Sequence, residues 1–178
     1  MARQYFQDGP YIDPPIANGS ALVSTSAEAL WLSSQFTPIY ANDPKAGKIY
    51  SVRAGGIMST SSSASTLILI PQYGLIGGAS IGASQTQTVP TSLSNVAWYL
   101  QFDLVFRTIG AASASTCIGT GLFVCAGASG TAGSAFVLPF GGTSATVDST
   151  SNLGITISKT LSVAGSFTTE FAYIFSRN

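Results

Sequence analysis

Apolar and polar positions alternate residue by residue in short runs along most of this chain. That is the two-residue period of a β-strand with one buried and one wet face. The clearest run is Ala97–Ile109, where Trp98, Leu100, Phe102, Leu104 and Phe106 fall on one side and Gln101, Asp103 and Arg107 on the other. Lys48–Ser59 sets Tyr50, Val52, Ala54 and Met58 against Ser51, Arg53 and Ser59. In the closing run Phe167–Ser176, the residues Phe167, Phe171, Tyr173 and Phe175 share a side opposite Glu170. Further strands are expected over Gln35–Tyr40, Thr66–Tyr73, Gln85–Val89, Ser115–Ala126, Phe136–Phe140, Thr146–Asp148 and Leu153–Lys159. Turn residues separate them, as in Asp43-Pro44-Lys45-Ala46-Gly47.

Only Ser26–Leu32 has a helical reading, with Thr25 and Glu28 spaced as a capping box, and an extended reading of the same segment stands beside it. About eight main strands with no long helix between them predict an all-β protein, an antiparallel jelly-roll β-sandwich with at most one short helix. Residues 1–24 break the pattern. Asp8-Gly9-Pro10, Asp13-Pro14-Pro15 and Asn18-Gly19-Ser20 force turns and extended backbone. The expected organisation is therefore an extended N-terminal arm over 1–24 and a sandwich domain over 25–178. Tyr5, Phe6, Tyr11 and Ile12 lie in the arm without periodicity and need a surface to pack on, which makes them the candidate partner-binding residues.

Composition changes the picture from fold to role. The 178 residues include seven basic and seven acidic side chains and no histidine. Charged residues make up 8% of the chain, against roughly a quarter in an ordinary soluble domain. A surface so poor in charge is expected to be covered by other protein. The zero net charge lacks the electrostatic footprint of a nucleic-acid or anionic-membrane binder. No apolar run approaches 18 residues, so no transmembrane helix is expected, and the first residues lack the apolar stretch of a signal peptide. Cys117 and Cys125 fall on one expected strand, too far apart to bridge, and read as buried thiols.

The candidate chemistry is thin. Without histidine there is no Ser–His–Asp or Cys–His arrangement, and Lys45, Lys48, Ser51, Ser158 and Lys159 read as ordinary surface positions. Asp103, Asp148 and Glu170 are the acids on the expected β core, and Asp103 is expected to pair with a cross-strand arginine, Arg107 being on its face. Asp43 and Asp148 in turns do not make an acidic loop dense enough for calcium. The expectation is no enzyme, no cofactor and no metal. A carbohydrate-binding module is the alternative from another class, with Tyr73, Tyr99 and Trp31 as candidate platforms.

The order of short motifs carries a resemblance. Ser26-Ala27-Glu28-Ala29-Leu30-Trp31, Phe36-Thr37-Pro38-Ile39-Tyr40-Ala41-Asn42, Ala46-Gly47-Lys48-Ile49-Tyr50-Ser51-Val52 and Gly56-Ile57-Met58-Ser59-Thr60 come first. Trp98-Tyr99-Leu100-Gln101-Phe102-Asp103-Leu104, Arg107-Thr108-Ile109-Gly110, Gly119-Thr120-Gly121, Val147-Asp148-Ser149-Thr150 and Asn152-Leu153 follow, before the closing strand. Over roughly residues 26–178 the chain resembles small virion structural proteins of tailed bacteriophages and prophages. The resemblance implies a jelly-roll virion component, a homotrimeric decoration (cement) protein on the capsid surface whose partner is the major capsid protein. It would be made and assembled in the bacterial cytoplasm. A tail, baseplate or head-fibre component of the same fold is the alternative within virions. No catalytic residues come with the family.

Overall fold

Each of the three clearest alternating runs is a strand in the computed structural model, which describes residues 21–31, 39–127 and 135–177. The strands are β1 (Glu28–Ala29), β2 (Ile49–Ser59), β3 (Ser65–Tyr73), β4 (Ala79–Ser80), β5 (Gln87–Val89) and β6 (Val96–Thr108). They continue as β7 (Ser115–Cys125), β8 (Phe136–Gly141), β9 (Ala145–Val147), β10 (Ile155–Leu161) and β11 (Ser166–Arg177). One antiparallel sheet runs β1-β10-β3-β4 with β5 beside β3, and the other runs β11-β2-β6-β7-β8 with β9 beside β7. The two pack as a β-sandwich, and there is no helix among the described residues. The first and last long strands, β2 and β11, pair in one sheet, while β3 and β10 pair in the other. That is the wrapped order of a jelly roll. The middle is simpler, because β6, β7 and β8 follow one another as a meander within one sheet.

The core is aromatic and lies between the sheets. Trp98, Phe123 and Phe167 gather at one end, with centroids 4.8 to 5.8 Å apart. Tyr50 and Tyr73 meet Phe106 edge-on at 5.9 and 5.5 Å at the other. Every apolar residue expected inside from β6, Trp98 through Phe106, is buried.

The segment read as helix or extended is extended. Leu22 bridges to Phe167 of β11, and Glu28–Ala29 pairs with Lys159 and Ser158 of β10. This strap therefore ties the edge strand of one sheet to the edge of the other. Glu28, the expected capping residue, instead accepts from the Ser24 N–H at 3.2 Å and pairs with Lys159 Nζ at 2.5 Å. Of the strand expected at Gln35–Tyr40, Ile39 forms a bridge to Leu153 and 32–38 lie outside the described residues. Tyr5, Phe6, Tyr11 and Ile12 also lie outside them.

The closing strand corrects the expectation. The register slips between Thr169 and Phe171, so Glu170 is the extra residue of a β-bulge. One inserted residue exchanges the two faces of everything after it. Phe167 points into the core, but beyond the bulge Ala172 and Ile174 are the buried positions, and Phe171, Tyr173 and Phe175 turn outwards.

Candidate interaction face

The bulge builds the most distinctive surface among the described residues. Phe171, Tyr173 and Phe175 form a ladder along β11, with successive ring centroids 6.4 and 5.9 Å apart and planes within 28°. The register sets what lies beside each rung. Phe171 is level with Gly55, Tyr99, Val124 and Val137. Tyr173 is level with Arg53, Gln101, Leu122 and Pro139, and Phe175 with Ser51, Asp103 and Thr120. Gly55 makes the first row possible, because a Cβ there would meet the Phe171 ring at 2.6 Å.

The polar groups on this face are held by one another. Ser51, fully buried, donates to Asp103 Oδ1 at 2.5 Å and accepts from Arg177 Nη2 at 2.7 Å. Arg177 also lies 3.5 Å from Asp103 Oδ1, and Gln101 donates to Oδ2 at 3.4 Å. Arg53 donates to the Tyr99 hydroxyl at 2.7 Å, and the guanidinium groups of Arg53 and Arg177 lie 5.9 and 5.4 Å from the Phe175 ring centre. Asp103 thus pairs with a cross-strand arginine, but it is Arg177, two strands away, and not Arg107. Apolar side chains are exposed beside this polar cluster: Tyr99, Leu122, Val137 and Phe171 keep 37 to 45% of their surface exposed, and the paired Arg177 and Asp103 are open to solvent as well. Shallow clefts run between β6 and β7 on this side, lined by Tyr99, Gln101, Asp103, Leu122 and Val124.

The face is large. Its five paired strands span about 19 Å across, and the 11 residues of β2 run about 36 Å along it, so the area is about 700 Å². A standard protein–protein contact takes about 800 Å² from each partner.

Other residues singled out from the sequence are placed elsewhere. Two lysines read as surface positions are buried: Lys159 in its pair with Glu28, where it also donates to the Ser24 carbonyl at 2.9 Å, and Lys48 at 2.7 Å from Asp43 Oδ1. Asp43 also accepts from the Tyr50 hydroxyl at 2.7 Å. Asp148 sits in a turn, where hydrogen bonds from the Thr150 hydroxyl and backbone N–H hold its carboxyl below the usual carboxylate range. Glu170 stands at the bulge, about 15 Å along the sheet from the level of Asp103, so the three acids of the β core are not brought together. Trp31 and Tyr73 are buried, and of the three proposed sugar platforms only Tyr99 faces outwards. Cys117 and Cys125 are free, buried thiols on β7.

Comparison with known proteins returns nothing: no family model, curated protein or solved structure matches the chain.

Proposed function

We propose that the chain is a structural protein of a bacteriophage virion, a decoration protein that binds and stabilises the capsid surface as a homotrimer and catalyses no reaction. The observation that carries this reading is the outer face of the six-stranded sheet. Rings and aliphatic side chains cover much of it, Asp103 is paired with Arg177 and Arg53 is bound to Tyr99, and its area is about that of one side of a subunit contact. A lone soluble sandwich would be expected to cover such a sheet with mixed charges. Apolar patches beyond a few hundred Å² mark interaction sites. The order of sequence motifs supports a virion as the setting, with the major capsid protein as partner through residues 1–24, where Tyr5, Phe6, Tyr11 and Ile12 supply the anchoring side chains.

Particles produced from the genome that encodes the chain provide the test. Electron cryomicroscopy is expected to show the protein at symmetric positions on the head. Deleting residues 2–20, which leaves Leu22 and Ser24 in their bonds to Phe167 and Lys159, is expected to remove it from the head while the isolated sandwich stays folded. Density confined to the tail, or a truncated chain that decorates heads at full occupancy, overturns the reading.

A further inference from the structure

The loops at the two ends of the sandwich differ in chemistry. At one end, where β3 and β6 finish and β10 starts, Tyr40, Leu75, Ile76 and Ile109 keep 47 to 60% of their surface exposed. At the other, the loops over 60–64, 90–95 and 162–165 expose Ser62, Ser63, Thr91, Ser94, Asn95 and Ser162 instead. Val23, on the strap, is the large apolar exception on that side.

Hydrogen bonds to residues 149–154 tie the apolar end into one platform. The Asn42 N–H donates to the Ser149 carbonyl at 2.9 Å, the Gly74 N–H to the Gly154 carbonyl at 2.6 Å, and the Gly110 N–H to the Ser149 hydroxyl at 2.9 Å. Leu75 and Ile76 open a type II turn, closed by the Gly78 N–H on the Leu75 carbonyl at 2.8 Å, with Gly77 at φ 91° in its third position. Turns ordinarily carry small or polar residues. This one holds two aliphatic side chains beside a cleft of about 520 Å³, lined also by Ala112, Val147 and Leu153. Lys45 and Arg107 are exposed at the same end, and neither has a carboxylate partner among the described residues.

We infer that this apolar end seats the protein on its shell, and that the shell site is an apolar protein surface with carboxylates beside it. The inference rests on the decoration reading above and names a contact that performs it. A platform already fixed by hydrogen bonds loses little freedom on docking. Lys45 and Arg107 complement carboxylates on the partner. Two cations on a chain of zero net charge give little pull towards an anionic bilayer, which favours protein over lipid. The chain path agrees. Leu22 pairs antiparallel with Phe167, so the chain reaches Leu22 from the direction of the Arg177 end of β11, which is the apolar end. From Phe167 to Arg177 is about 33 Å of strand, and twenty extended residues reach about 66 Å. The anchors assigned to residues 1–20 are therefore within reach of the same shell site.

The experiment mixes the purified full-length protein with heads from particles that lack it, then pellets the heads and counts bound copies. The wild type is expected to saturate them. Leu75→Glu with Ile76→Glu is expected to weaken binding at least about tenfold, as withdrawing roughly one buried aliphatic side chain would. Lys45→Glu with Arg107→Glu is expected to weaken it about threefold at low salt. Ser62→Glu with Ser94→Glu, at the polar end, is expected to bind as the wild type does. Circular dichroism checks folding, and Ile109→Glu replaces the turn variant if that is unfolded. A turn or charge variant that binds like the wild type, or a polar-end variant that does not, overturns the inference and leaves the decoration function standing. A wild type that binds no heads removes both. A turn variant with an altered sedimentation coefficient would make this end a contact between copies. A wild type that floats with phosphatidylglycerol vesicles and leaves heads bare would make it a lipid contact. Either result overturns the inference.

Discussion

Gly119 and Gly121 offer the core no side chain, and two aromatic rings occupy the space. Phe102 leans over Gly119 and Phe140 over Gly121, and the two rings stack across β7 at 5.6 Å with planes 13° apart. A Cβ on Gly121 would overlap the Phe140 ring and crowd the carbonyl oxygen of Gln101. Gly121→Ala is therefore expected to cost about 1–3 kcal/mol, as overpacking does, read as a lowered urea midpoint. An unchanged midpoint would mean the rings shift without cost. The neighbouring thiols give a pH signature. Burial pushes Cys117 and Cys125 up to about 11 from an ordinary 9.0. Below pH 9 both folded and unfolded chains keep these protons; above it the unfolded chain releases them first. The thiol contribution to stability should therefore fall from about pH 9 and level off near 11, while the buried Tyr73 phenol, pushed well above its ordinary 10.0 chiefly by desolvation, keeps total stability falling at higher pH. Replacing both cysteines with alanine should flatten that slope in denaturation midpoints measured across the window. Buried thiols at these positions were legible in the sequence, because they alternate in phase with Phe123. The buried lysines were not, since a lone Lys159 between Ser158 and Thr160 gives no sign of the distant Glu28 that pairs with it.

At the scale of elements, most strands were legible because hydropathy records which face is buried. The exceptions are places where geometry departs from strict alternation. Beyond Glu170 both phases of β11 are apolar, Phe171-Tyr173-Phe175 in one and Ala172-Ile174 in the other, and the bulk of the aromatics favours the wrong phase. A bulge has no hydropathy signature of its own, so the candidate face was invisible before the register was known. The strap misleads for another reason: Glu28 is spaced to cap a helix, but Lys159 and the open edge of β10 offer it a buried ion pair. Lys159→Ala is expected to cost about 3 kcal/mol, since it leaves the Glu28 carboxylate and the Ser24 carbonyl without their donor. Hydrogen exchange at the Leu30 amide, which donates to the Ile157 carbonyl at 2.9 Å, should accelerate with it. Unchanged stability and exchange would show that the strap is held by its backbone bonds alone.

For the molecule as a whole, charge scarcity takes on a specific meaning. Among the described residues, Lys48 with Asp43, Lys159 with Glu28 and Arg177 with Asp103 spend six charged side chains on pairs within the fold. On the broad outer sheet face the exposed charge is held in the Arg177–Asp103 pair and in Arg53, and rings and methyl groups make up much of the rest. On the proposed reading, other copies of the chain cover this face. Sedimentation equilibrium of the purified full-length chain, free of capsids, measures this directly. A homotrimer gives a species of three chain masses of 18.2 kDa each that persists on dilution through the micromolar range. A single mass of 18.2 kDa at every concentration would contradict it.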